Sequence, residues 1–138
     1  MTMVTTDGAE EPKTLVFDTN ALIFLLTNSS RLTAPARAAA TRDGAARLVS
    51  AASIYEVAFK SRLGKLPIDP SAFRQALRVG GFAVRSITEH VIYTAAVLDW
   101  PNRDPWDRII CATARHEGGS LVSSDRAFDE LPGISRIW

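Results

Sequence analysis

Short runs of strand-forming residues, set apart by helix-length segments, constrain this chain more than any other feature. The runs are Thr14-Leu-Val-Phe17, Leu48-Val49, Phe82-Ala-Val-Arg-Ser-Ile87 and Leu121-Val122, and Ile134 to Ile137 reads as a terminal strand. Between them the residues read as helices. Ala21-Leu-Ile-Phe-Leu-Leu26 follows the first run after a polar break at Asp18-Thr-Asn20. Residues 35 to 46 are Ala-rich, with Pro35 at the start and Gly44 near the end, and Ser53 to Leu63 stops at Gly64 and Pro67. Further helices are expected over 71 to 79, closed by Gly80-Gly81, over Thr88 to Leu98, and over Asp104 to Glu117, ended by Gly118-Gly119. A helical turn is expected near Asp125 to Leu131.

Strands separated by helices require parallel pairing through right-handed crossovers, which lays helices over both faces of the sheet. The expected fold class is therefore α/β: a single domain over residues 14–138 with a central, mostly parallel sheet. The first 13 residues, MTMVTTDGAEEPK, read as a flexible polar tail, with neither the basic start nor the apolar stretch of a secretory signal. No apolar run approaches the roughly 20 residues that cross a bilayer, so a cytoplasmic protein is expected. Cys111 has no cysteine to pair with, and its neighbours Ile109, Ile110 and Ala112 mark it as a small buried hydrophobe. A net charge of +1 excludes the broad basic footprint that holds long duplex DNA, so any nucleic-acid contact must be local.

In an open parallel sheet the functional crevice lies outside the carboxyl ends of the strands, and this chain places acids there. Asp18 directly follows the first strand, Glu56 lies in the first turn after the second, Asp104 and Asp107 begin the helix to Glu117, and Asp125 follows Leu121-Val-Ser-Ser124. Each has a plain structural explanation. Asp18 and Asp125 can cap the helical segments after them, Ser53-Ile-Tyr-Glu56 matches a capping box, and Asp104-Pro105 is an N-cap with Pro at the first helical position. Together, however, they crowd one edge. Like charges held close raise one another's pKa unless protonated or neutralised by a cation. A hard ion such as Mg²⁺ or Mn²⁺ takes oxygen-only ligands, and His90 and His116 stand alone, without zinc spacing. A carboxylate-held ion of this kind cleaves phosphodiesters by activating water, with no nucleophilic side chain. Thr19, Asn20 and Ser124 are placed to hydrogen-bond the acids or metal waters. Trp106, between the paired acids, offers a face for an unpaired base, and Arg108 beside it is the other candidate for substrate contact.

The strand ending in Asp18-Thr-Asn20, the Ser53-Ile-Tyr-Glu56 helix, Asp104-Pro-Trp-Asp-Arg-Ile-Ile-Cys-Ala-Thr-Ala114 and Leu121-Val-Ser-Ser-Asp125-Arg-Ala-Phe128 together resemble a PIN domain. They are most similar to VapC-type toxins of the Asp-Pro-aromatic-Asp-Arg subgroup, from about Thr14 to the end. The resemblance implies that Asp18, Glu56, Asp107 and Asp125 are the catalytic acids, with Asp18, Asp107 and Asp125 binding Mg²⁺ or Mn²⁺. Asp104 is then an extra acid that reaches the metal through water or only caps the helix. Ser123 and Ser124 stand where the family more often carries Thr, a departure that keeps a hydroxyl. The resemblance further implies a homodimer neutralised by a cognate antitoxin protein, and single-stranded or loop RNA as substrate. Two other acid-bearing parallel α/β folds fit less well. A phosphoacceptor receiver and a haloacid-dehalogenase-type phosphatase both need a late lysine, absent after Lys65, and the latter needs an acid where Asn20 stands. The expected function is thus a metal-dependent endoribonuclease, toxin of a toxin–antitoxin pair. The alternative is a catalytically weak or inactive PIN-fold module that binds protein or RNA.

Overall fold

Strand β1 (Thr14–Phe17) occupies the middle of the five-stranded sheet. It pairs in parallel with β2 (Ala46–Ser50) on one side and with β4 (Ser120–Val122) on the other. Strand β3 (Phe82–Arg85) adds to β2 and β5 (Arg136–Ile137) to β4, giving the order β3-β2-β1-β4-β5, parallel throughout. The chain thus runs outward from the centre to β3 and returns to the far side of β1. The strand order reverses between β1 and β4, where open parallel sheets form a crevice at their carboxyl ends. This computed structural model describes residues 11–138. Most of the expected polar tail lies outside the described residues. At its end Lys13 is already tied to the sheet, its carbonyl accepting from Ala46 N at 2.8 Å.

Among the described residues six helices connect the strands: α1 (Thr19–Leu26), α2 (Ala34–Thr41), α3 (Ala51–Arg62), α4 (Pro70–Val79), α5 (Glu89–Val97) and α6 (Pro105–Glu117). A 3-10 helix covers Arg126–Glu130. Two expectations need correction. Helix α2 ends at Thr41, not near residue 46, because Arg42 turns extended and Gly44 adopts φ +78°, which frees Ala46 to start β2. Helix α3 begins at Ala51, capped by Ser50 through Ala52 N at 3.1 Å, so Ser53 is not the cap of a capping box. It is fully buried in the first turn instead.

Alternation along β1 divides the core. Leu15 and Phe17 face one side with Val49, Leu22, Val57 and Leu77, whereas Val16 faces the other with Leu48, Leu121, Ile110 and Phe128. All these side chains are buried, as is Cys111, whose thiol burial pushes up to about 11. Among the described residues no helix is long and apolar enough to cross a membrane.

Candidate metal centre at the carboxyl edge of the sheet

Asp18 leaves β1 with extended backbone and caps α1, its Oδ1 accepting from Ala21 N at 2.8 Å. Capping uses one oxygen only. The other, Oδ2, accepts a short hydrogen bond from Ser123 Oγ, and the same hydroxyl oxygen accepts from Asp125 N at 3.0 Å. One fully buried side chain therefore ties the end of β1 to the end of β4 across 105 residues of sequence. Ser124, the expected supporting hydroxyl, is only half-buried, and the contact belongs to Ser123. Thr19 Oγ1 meets Ser53 Oγ at 2.9 Å, joining α1 to α3, while Asn20 is exposed on α1.

Asp104 caps α6, its Oδ1 accepting from Trp106 N at 2.8 Å and from Asp107 N at 3.3 Å. Asp107 is left free of that duty. It accepts from Asn102 Nδ2 at 3.0 Å, and Asn102 Oδ1 in turn accepts from Asp104 N at 2.8 Å. Asn102 thus holds both acids in place, a role sequence reasoning missed. The available signal was an Asn two residues before Asp-Pro, the position from which its side chain reaches the backbone two residues on. Asp125 caps the 3-10 helix through Ala127 N at 2.9 Å and is exposed. Glu56, half-buried on α3, caps nothing and pairs with Lys60 Nζ at 2.5 Å.

Burial sets the electrostatics. Asp18, 6% exposed, has its carboxyl pushed up to about 6 by burial; the Ser123 and Ala21 hydrogen bonds oppose this, and the charges of Asp107 and Asp125 add to it. Asp107 is pushed up to about 6 by burial as well, with Asn102 opposing and Asp104, Asp125 and Glu56 adding. The acids therefore lie within reach of one another's fields. Among the described residues, no three acid, His or Cys side chains meet in a finished cage. Carboxylate oxygens are the donors that hard ions accept, with waters filling the remaining positions. The donor chemistry and surplus negative charge fit Mg²⁺ or Mn²⁺.

Arg108, expected at the substrate, is engaged inside the protein. Its guanidinium donates to the carbonyls of Ala95 (2.9 Å), Ala96 (3.3 Å), Leu98 (2.7 Å), Trp100 (2.9 Å) and Asn102 (2.8 Å). A planar fork of donors suits this wrapping of the loop that leads into α6. Trp106 is half-buried and packs on Tyr55, ring centroids 5.2 Å apart. His90 and His116, isolated in sequence, bring their rings to 5.3 Å on an exposed corner where α5 begins and α6 ends.

The sequence model of the PIN domain family matches residues 15–134. No curated protein matches the chain by sequence. Among solved structures, a toxin–antitoxin complex from Klebsiella pneumoniae shares 22% identity at a TM-score of 0.66, covering 87% of this chain and 94% of that one. VapBC2 from Rickettsia felis, bound to a DNA fragment from its promoter, shares 12% at 0.65, over 89% and 96%. VapC20 of Mycobacterium tuberculosis, a Sarcin-Ricin loop cleaving toxin, shares 15% at 0.64, over 84% and 93%. At these identities the likeness is one of fold.

Proposed function

The chain belongs to the PIN domain family, and from that premise we propose that it is a metal-dependent endoribonuclease, the VapC-type toxin of a toxin–antitoxin pair. It acts in the cytoplasm on single-stranded or loop RNA, as a homodimer that a cognate antitoxin neutralises. One observation carries the reading: Asp18 and Asp107, from opposite ends of the chain, are both driven to about 6 by burial among other acids. A fold that keeps such a cluster at the carboxyl edge bears a cost that a bound cation removes.

In this reading Asp18, Asp107 and Asp125 hold Mg²⁺ or Mn²⁺, Glu56 completes the catalytic quartet, and Asp104 keeps its cap. When bound, the ion polarises the phosphate and lowers the pKa of an attacking water. The chain's own residues prepare that site. Ser123 and Ala21 N each hold one oxygen of Asp18 and so fix the orientation of its carboxylate. Asn102 orients Asp107, as partners behind a metal-bound carboxylate generally do. The five-carbonyl grip of Arg108 holds the loop carrying Asn102. Thr19 and Ser53 keep α1 and α3, and so Asp18 and Glu56, at a constant separation.

The Glu56–Lys60 pair favours a second reading, a PIN-fold binding module, because it already gives one member of the quartet a cation. Cleavage of a pool of structured RNAs with Mg²⁺, with Mn²⁺ and with chelator, beside Asp107→Asn, separates the two. Cutting that needs metal and vanishes in the variant supports the nuclease. RNA left whole under every condition returns the protein to a binding role.

A further inference from the structure

Next to the acids runs a row of three aromatic rings. Trp106 and Tyr55 lie 5.2 Å apart between centroids at 31°, and Tyr55 and Phe59 lie 5.6 Å apart at 20°. Tyr55 and Phe59 are i and i+4 on α3 and so share one face of it. Their offset leaves each ring only partly covered by its neighbour: Tyr55 remains 56% and Phe59 45% exposed. The row stands on the same two helices as two of the acids, for Glu56 follows Tyr55 on α3 and Asp107 follows Trp106 on α6. On its other flank a groove of about 750 Å³ is lined by Tyr55, Phe82, Arg74 and Arg78. Arg74 and Arg78 are exposed, one turn apart on α4, and among the described residues neither pairs with an acid.

We propose that Trp106, Tyr55 and Phe59 form a platform on which successive bases of single-stranded RNA stack, with Arg74 and Arg78 taking the phosphates. The proposal rests on the nuclease reading above and names how its substrate is held. An acidic edge repels a polyanion, and a net charge of +1 offers little general attraction, so the substrate must be gripped beside the edge. Every base has a π-face, so two exposed rings continued by the half-buried Trp106 bind unpaired strands with little regard to sequence, whereas a duplex hides those faces. The cationic flank makes a strand of phosphates the occupant, in preference to an uncharged protein surface.

The test uses the full chain. Binding of a labelled ten-nucleotide unstructured RNA is measured on Asp107→Asn without metal, and KM and kcat for cleavage are measured with Asp107 intact. Tyr55→Ala is expected to weaken binding about tenfold and to raise KM similarly, with Tyr55→Phe restoring both. The double change Arg74→Gln, Arg78→Gln should flatten the salt dependence of binding by about 1.4, from roughly 0.7 per phosphate contact on a single strand. Parental affinity, KM and salt slope in these variants would overturn the platform while leaving the nuclease standing. So would a Tyr55→Ala protein that changes oligomeric state by light scattering but keeps its RNA affinity, which would mark the row as a protein interface. RNA bound through the rings but never cut, with any metal, would overturn the nuclease and keep the platform.

Discussion

Asp129 and Asp107 are the same side chain set in opposite company. Asp129 receives both arms of the Arg136 guanidinium, Nε to Oδ1 at 2.9 Å and Nη2 to Oδ2 at 3.0 Å, and its carboxyl is held below the usual range. Asp107 has a neutral amide for a partner and is pushed up to about 6, as is Asp18 beside a hydroxyl. Arg136 also donates to the Ser123 carbonyl at 3.1 Å, so a guanidinium stands close behind the acidic edge yet is bonded to the backbone there. The fold thus has cations within reach and spends them on a surface acid, on carbonyls and on the Arg108 loop. Of the acids at the carboxyl edge Glu56 has a cation in Lys60, whereas Asp18 and Asp107 are left with neutral partners.

The largest expected effect breaks the comparison at its acidic side. Asp18→Asn or Asp107→Asn should lower metal-dependent cleavage by more than about a hundredfold, while the metal-free variant melts at or above the parent temperature at pH 7.5. Steady-state rates and thermal melts of the same preparations check both halves. A variant that loses activity by losing its fold would show the acids to be structural.

Next comes the balanced cation. Arg108→Ala should destabilise by about 2–4 kcal/mol, because five carbonyls lose a charged donor at once, and Arg108→Lys should recover only part, having three donors on one nitrogen. Denaturant unfolding measures this. Equal stability of all three proteins would mean that water replaces the guanidinium freely.

Acidity sharpens the contrast. Both raised carboxyls bind protons more tightly folded than unfolded, so their share of stability is complete below about pH 3.8 and is lost as pH rises through about 6. The metal-free parent should lose melting temperature between pH 4 and 7 relative to the Asp18→Asn, Asp107→Asn double variant, with Mn²⁺ restoring the parent above pH 6. Asp129→Asn carries the opposite sign: its lowered carboxyl stabilises above the ordinary range and is lost as pH falls below it. Asp129 lies at the exposed surface, so that pair should shift the melt by about 2 °C or less at pH 7. Parallel melts across pH test all of these lines together.

The strand–helix alternation was legible because buried parallel strands are short apolar runs and glycines mark the helix ends. The boundary of α2 was not, since the helical character of its Ala-rich stretch hid the extended Arg42 and the turn at Gly44. That Asp18, Asp107 and Asp125 stand at one edge was an expectation from topology; the carboxyls of Asp18 and Asp107 are raised chiefly by burial, with smaller additions from neighbouring acids. Which hydroxyl supports them did not follow. Ser123 and Ser124 differ only in the face of the strand end they occupy, a matter of half a pleat. Arg108 read as a ligand group because an arginine beside a helix start looks available, and only the three-dimensional path of residues 95–102 encloses it.

The hydrogen bond between Ser123 and Asp18 has a consequence in time. The central strand is made first, and its second neighbour follows about 100 residues later. Until β4 docks, Asp18 has neither its hydroxyl nor Asp125 beside it. A chain in which β4 has not yet docked therefore lacks a finished acidic edge.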